Sequence, residues 1–205
     1  YYIYILKTNT MEKLEHKFDI LKNNPSDINE HLETLRLYSS KSQHVTEMGV
    51  RGVISTYALL YGNPSKGIVS YDIVHPSEYG GTLQHIEEFS KEYNIPYEFK
   101  VGDSLKVIID PTDLLFIDTW HTYNQLLSEL NLHSGMVSKY IILHDTTSFA
   151  HHGESLTAKN TFVGEVDQTK GLWDAVEEFL KSNSEWSIRE RFTHNNGLTV
   201  LERTK

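Results

Sequence analysis

Apolar and polar positions run along this chain in blocks whose period keeps changing. Leu114, Leu115, Phe116 and Ile117 form an unbroken apolar run that stops at Asp118, the pattern of a strand buried on both faces beneath helices. Further strands are predicted over residues 43–48, 67–73, 96–101 and 139–143. Helical patterns separate them. Ile28, Leu32, Leu35 and Tyr38 recur at helical spacing after the turn Asn24-Pro25-Ser26-Asp27, which supplies an N-cap. Helices are predicted over 28–40, 53–61, 82–93, 124–132 and 171–180, and Asp103 is expected to open a short helical stretch ending before Pro111. At the start, Leu14, Phe18 and Leu21 give a weaker helical pattern over 11–22, while Tyr1 to Leu6 reads as a short strand or the tail of an earlier element.

Near the end, strands over 186–192 and 198–202 flank His194-Asn195-Asn196-Gly197, and Asn-Gly is the strongest short hairpin signal. Five strands alternating with helices and closed by a hairpin predict an α/β fold. Its sheet is doubly wound, mostly parallel and seven-stranded, with an antiparallel C-terminal hairpin. The polar segment from Thr147 to Lys170 is too long for an ordinary connection and is expected to form a lid. Residues 1–40 are expected to be a helical segment packed on or lidding a core that spans 41–205.

With 205 residues the chain can bury one sizeable core, and its formal charge of -9 comes with no basic stripe. That balance argues against a nucleic-acid backbone as partner and favours a small molecule. The absence of cysteine excludes disulfides, thiolate nucleophiles and Cys-ligated zinc. The N-terminal apolar stretch is too short for a signal peptide or a membrane span, so a soluble, cytoplasmic protein without a membrane partner is expected. Homo-oligomerisation is compatible with this. The chain begins with Tyr1 rather than Met, which leaves room for an upstream segment.

The chemistry-bearing residues cluster at predicted strand ends, where open α/β sheets bind ligands. Glu47, Gly49, Gly52 and Ser55 follow the first strand and lead into a helix. Their spacing departs from G-x-G-x-x-G, and an acid ahead of the turn would repel a pyrophosphate. It suits a cationic or hydroxyl-bearing ligand better. The pattern resembles the first motif of class I S-adenosylmethionine-dependent methyltransferases, an acid followed by a glycine-rich turn at the amino-acid end of the cofactor. That resemblance implies that Asp72, ending the second strand, holds the ribose hydroxyls and that Gly102-Asp103-Ser104 lies near the adenine. Taken singly, these residues could be a turn, a solvated acid and a helix cap; the resemblance rests on their order at successive strand ends.

Further along, F-I-D-T-W-H-T-Y, then L-S-E-L, then Y-I-I-L-H-D-T are similar to the methyltransferase group with I-D-x-x-H-x-Y and H-D-T motifs. They also resemble metal-dependent O-methyltransferases of the catechol and the macrocin and mycinamicin sugar types. The likeness covers roughly residues 28–145 and implies a Rossmann-like methyltransferase core. It further implies that Asp118, His144 and Asp145 hold a divalent ion, magnesium or manganese, with one imidazole among the ligands favouring the latter. His121 would then be the base. At an ordinary pKa near 6.5 its imidazole would be neutral at pH 7 and able to take a hydroxyl proton.

The activity so implied is O-methylation of a small hydroxylated acceptor such as a sugar or glycoconjugate. Two other readings stay open at the level of sequence. One is a metal-dependent hydrolase built from Asp118, His121, His144, Asp145, His151 and His152; the other is a non-catalytic binding module on the same fold.

Overall fold

The computed structural model of the protein describes residues 2–154 and 167–204. Its strands form a mostly parallel, mixed seven-stranded sheet in the order β3-β2-β1-β4-β5-β7-β6, with the elements numbered as follows. The chain divides into two compact units, residues 1–101 and 102–205.

The first unit contains α1 (Tyr2–Asn23), α2 (Leu32–Ser40), β1 (His44–Met48), α3 (Ile54–Tyr61), β2 (Gly67–Asp72), α4 (Gln84–Tyr93) and β3 (Tyr97–Val101). β1 pairs with β2 and β2 with β3, all parallel. Of the strand or tail expected over residues 1–6, Tyr1 lies outside the described residues and residues 2–6 belong instead to the helix α1, because an apolar run that short fits either period. α2 starts after a single 3-10 turn, Asn29–His31, and buries Leu32, Leu35 and Tyr38. The Ser39 hydroxyl donates to the Leu59 carbonyl at 2.6 Å, tying α2 to α3.

At the entry to α3 the buried Val53 has φ 61°. A β-branched residue in the left-handed region is strained by about 1–2 kcal/mol, and the burial of its side chain offsets that cost. Val53→Gly should therefore cost about 1–2 kcal/mol less than Val45→Gly, which removes an equally buried valine from an unstrained strand. Urea denaturation of the two variants would check the difference.

The second unit contains β4 (Thr112–Ile117), α5 (Tyr123–His133), β5 (Val137–His144), α6 (Leu172–Ser182), β6 (Trp186–Phe192) and β7 (Leu198–Arg203). β4 runs parallel to β5, with Leu114 to Ile117 opposite Tyr140 to Leu143. β7 then returns antiparallel to β5 and pairs with β6. α5 is capped by Thr122, whose hydroxyl accepts the Gln125 N–H at 3.3 Å. The short helix expected from Asp103 does not form. The Asp103 carbonyl accepts the N–H groups of Lys106 and Val107, closing a turn in which the Asp103 side chain takes the Leu105 N–H at 3.0 Å; such local bonding by aspartate competes with helix.

Of the expected lid, residues 155–166 lie outside the described residues. Its first part is held by the rest of the unit. The N–H groups of Thr147 and Ser148 donate to the Asn196 carbonyl in the β6–β7 turn, and those of Leu172 and Trp173, opening α6, donate to the carbonyls of Phe149 and Ala150. Gly171 makes this approach feasible, since a Cβ there would collide with the Phe149 and Ala150 carbonyls. Among the described residues, no helix is long and apolar enough to cross a membrane.

Candidate functional site

In the second unit, β4 and β5 are both buried and adjacent in parallel, so their carboxyl ends deliver Asp118 and His144-Asp145 to one place. Asp145 leaves β5 with φ 59°, a conformation aspartate tolerates better than most residues. That turn keeps its buried carboxylate beside the strand ends instead of continuing the ladder. His121 reaches the same place from the loop before α5. Its Nε2 lies 2.9 Å from Asp145 Oδ2 and 3.4 Å from Asp118 Oδ1. His144 Nδ1 lies 3.4 Å from Asp118 Oδ2 and 3.3 Å from Asp145 Oδ2. Ile117, Trp120, Leu126, Leu143 and Leu172 wall the niche around Asp118, His121 and His144.

Two carboxylates facing two imidazoles set the protonation of all four. Burial pushes His121 down, but hydrogen bonding to Asp118 and Asp145 outweighs it and carries the ring up to about 10. His144 is raised to about 10 by the same competition. Burial opposes ionisation of Asp118 and Asp145, yet bonding to His121 and His144 holds both below the usual carboxylate range. Opposite charges at hydrogen-bond distance favour the charged form, so in this ligand-free geometry His121 holds its proton more tightly than an ordinary imidazole.

The donor set fits a divalent cation. One ligand atom from each of Asp118, His121 and Asp145 falls within 4.8 Å of the others. The converging trio has His121 where the sequence expectation had His144. His144 stays buried against the same two carboxylates.

Two acidic residues to which the sequence pattern assigned no role also belong here. Glu154 Oε2 lies 3.2 Å from His121 Nδ1. Glu129, on α5, is fully buried and accepts from Ser104 Oγ at 2.5 Å, Thr119 Oγ1 at 2.7 Å and Gln125 Nε2 at 2.7 Å. It thereby ties the turn after β3 to the residue that follows Asp118. A sequence signal for Glu129 existed: with Leu126, Leu130 and His133 it lies on the stripe α5 buries, where an uncompensated acid does not belong. Nothing comparable marked Glu154, which meets His121 through the fold alone.

Burial raises Glu129 from 4.5 to about 7, against the opposing pull of the Ser104, Gln125 and Thr119 bonds. In the unfolded chain the group ionises first, so its contribution to stability is complete below about 4.5 and is lost as pH rises through 7. At 1.36 kcal/mol per pH unit the loss is about 3 kcal/mol. His121 and His144 act in the same direction but only above about 6.5. Burial lowers His133, which acts in the opposite direction over this range, so chemical denaturation between pH 4.5 and 6.5 should show the stability of the wild type falling relative to that of Glu129→Gln, which keeps the His133 contribution.

The remaining expected site residues are placed as follows. In the first unit Glu47 is completely buried and accepts the hydroxyls of Ser55 at 2.6 Å, Thr56 at 2.9 Å and Ser70 at 2.6 Å. Gly49, at φ 87°, turns the chain out of β1 and donates its N–H to the Tyr71 carbonyl at 2.9 Å. Asp72 Oδ2 accepts the N–H groups of Val50 and Arg51 at 2.8 and 2.9 Å, and Oδ1 takes a longer bond of 3.3 Å from Val74 N–H. A Cβ at Gly52 would make only an ordinary contact, 3.9 Å from Ile54 Cγ1. In the second unit Asp103 pairs with Lys106 at 2.8 Å, and the Ser104 hydroxyl is committed to Glu129. The exposed His151 pairs with Asp174 at 3.2 Å, and Asp174 also accepts the Gly171 N–H at 2.8 Å, so that imidazole serves the start of α6.

No family model matches the chain. A curated relative, the uncharacterized protein R132 of Acanthamoeba polyphaga mimivirus, is 26% identical over 110 residues, which are 53% of this chain and 45% of that protein. The chain thus spans about half the length of the curated relative it matches. Among solved structures it is similar to the O-methyltransferase TomG of Streptomyces achromogenes, involved in tomaymycin synthesis and solved with S-adenosylmethionine; the TM-score is 0.59 at 12% identity, covering 98% of this chain and 90% of that one. It is also similar to the O-methyltransferase of Bacillus cereus in complex with S-adenosylhomocysteine, with a TM-score of 0.57 at 14% identity and coverage of 95% and 90%. The S-adenosylhomocysteine-bound methyltransferase PaMTH1 of Podospora anserina gives 0.56 at 16% identity, with coverage of 98% and 88%. At such identities the likeness is one of fold: the chain has the fold of S-adenosylmethionine-dependent methyltransferases related to O-methyltransferases. Within that fold it carries an Asp/His cluster of metal-binding type.

Proposed function

We propose that this protein is an S-adenosylmethionine-dependent O-methyltransferase acting, with a divalent metal, on a small hydroxylated acceptor such as a sugar or glycoconjugate. The observation that carries the reading is the convergence of Asp118, His121 and Asp145 at the ends of β4 and β5 in a chain with a methyltransferase fold. The cofactor would supply an activated methyl group, and the metal, magnesium or manganese, would lower the pKa of an acceptor hydroxyl and fix its position.

The chain's own residues supply the rest. Asp118, His144 and Asp145 would hold the ion. His121 would stand beside the ion as the base, its Nε2 being the atom that would accept the hydroxyl proton. His144 lies buried beside both carboxylates. Asp72 is the acid assigned to the ribose hydroxyls, through Oδ1, while its Oδ2 fixes the turn after Gly49. Glu47 and Ser55 shape that turn from beneath, Gly52 lies within it, and Asp103 and Ser104 form the turn assigned to the adenine. The same reading makes the protein cytoplasmic, where its substrates are small and soluble.

Calorimetric titration with S-adenosylhomocysteine, with and without manganese, tests this directly. Saturable binding of the nucleoside, together with a separate manganese isotherm, is the expected result; absence of nucleoside binding would end the reading.

A further inference from the structure

The two edges of the sheet are built differently. At one, β6 carries a register shift between Ile188 and Glu190, and a bulge of that kind twists an edge away from further pairing. At the other, β3 pairs with β2 along its whole length without a shift. It contains no proline, and none of its five residues is buried. Among the described residues no strand lies beyond it. A regular, open edge strand is a template for one more strand.

The phase of the β2–β3 ladder tells which backbone groups face outward. The Ile68 N–H donates to the Pro96 carbonyl at 2.8 Å, and Ile68 stands opposite Tyr97, so residues 96, 98 and 100 turn their backbone groups toward β2. By the alternation of a strand, Tyr97, Phe99 and Val101 turn theirs outward. An antiparallel pairing of two copies of β3 centred on Phe99 uses all three. Phe99 then meets Phe99 of the second copy and Tyr97 meets Val101, each pair exchanging both backbone hydrogen bonds. Between these, where facing side chains stand closest, Glu98 falls opposite Lys100 of the second copy. Glu98 and Lys100 of one chain already lie 3.0 Å apart, so the four charges alternate in sign around a square. Sliding the register by two residues sets Glu98 against Glu98 in one direction and Lys100 against Lys100 in the other, and like charges directly opposite are destabilising. The centred pairing also sets Tyr97 of the second copy over Val101, which is 63% exposed in the single chain.

We propose that the outer edge of β3 is an interface between two copies of this chain, joined antiparallel about Phe99 with Glu98 of each facing Lys100 of the other. The charges that guard this edge against unrelated strands become complementary in that register. The inference stands apart from the proposed methyl transfer and is tested without cofactor or acceptor.

Sedimentation equilibrium of the 205-residue chain, from micromolar to hundreds of micromolar, reads the association. The wild type should associate reversibly into pairs. Lys100→Glu and Glu98→Lys each place like charges opposite one another and should each raise the dissociation constant about tenfold or more. The double variant carrying both changes should recover the wild-type value. An equimolar mixture of the two single variants should also associate, since each supplies the charges that the other lacks. Val101→Pro removes an outward N–H and spares the bonds to β2, so it should weaken association while circular dichroism shows the fold intact; if it folds poorly, the charge variants carry the test alone. Arg189→Glu, the same reversal of charge on the β6 edge, should leave association unchanged. The proposal is overturned by a wild type that stays monomeric throughout, or by pairs that Lys100→Glu or a folded Val101→Pro leaves as tight as before. It is equally overturned if neither the double variant nor the mixture restores association, or if Arg189→Glu weakens it as much as Lys100→Glu does.

Discussion

Asp118→Asn should weaken manganese binding by about 100-fold or more and reduce methyl transfer to a comparable degree. The asparagine keeps the shape of the side chain but removes one of the two charges that converge with His121. A hard divalent cation depends on that charge more than on the oxygen atom, and even residues one shell further out commonly cost 10–100-fold when changed. The substitution also removes a carboxylate that raises both His121 and His144, so both rings should titrate at lower pH in the variant. S-adenosylhomocysteine affinity should change little. That combination, metal lost and nucleoside kept, separates a damaged metal site from a damaged fold, and isothermal titration with each ligand in turn reads it. If Asp118→Asn binds manganese as tightly as the wild type, Asp118 is not a ligand.

The largest effect on stability is expected in the first unit. Glu47→Ala should cost about 3–5 kcal/mol, because it strands the hydroxyls of Ser55, Thr56 and Ser70 in a place without access to water. These three come from the start of α3 and from β2, so the carboxylate holds the helix against the strands that flank the glycine turn. Equilibrium denaturation would measure the loss. Glu47→Gln keeps the volume and one acceptor oxygen and should recover part of it. A cost below about 1 kcal/mol for Glu47→Ala would mean that the hydroxyls find other acceptors and that the buried charge contributes little. This arrangement also refines what an acid at this position does: its carboxylate is spent on the protein's own hydroxyls, and its influence on a ligand would pass through the geometry of the turn.

Several elements are legible in the amino-acid sequence because their signals are local. The apolar run 114–117 set β4, the spacing of Leu172, Val176 and Phe179 set α6, and Asn196-Gly197 set the hairpin, each within a residue or two of the observed bounds. The helix expected from Asp103 failed for an equally local reason, since the Asp103 side chain bonds its own loop. Tyr1 to Leu6 was too short for its period to choose between helix and strand.

The order of strand ends was likewise written in the chain: a glycine turn after β1, an acid after β2, an acid after β4, and His144-Asp145 after β5 follow from where the apolar runs stop. That order was enough to nominate Asp118, His121, His144 and Asp145. What sequence could not decide were the distances among them, which depend on β4 and β5 lying side by side in register and on the left-handed turn at Asp145. Those distances raise the pKa of His121, put it with Asp118 and Asp145 in the converging trio, and bring Glu154 to its far nitrogen. Patterns along a chain report which side chains must be buried and where strands end; charge state and ligand geometry depend on separations of a few ångströms between residues far apart in sequence, and only the folded backbone sets these.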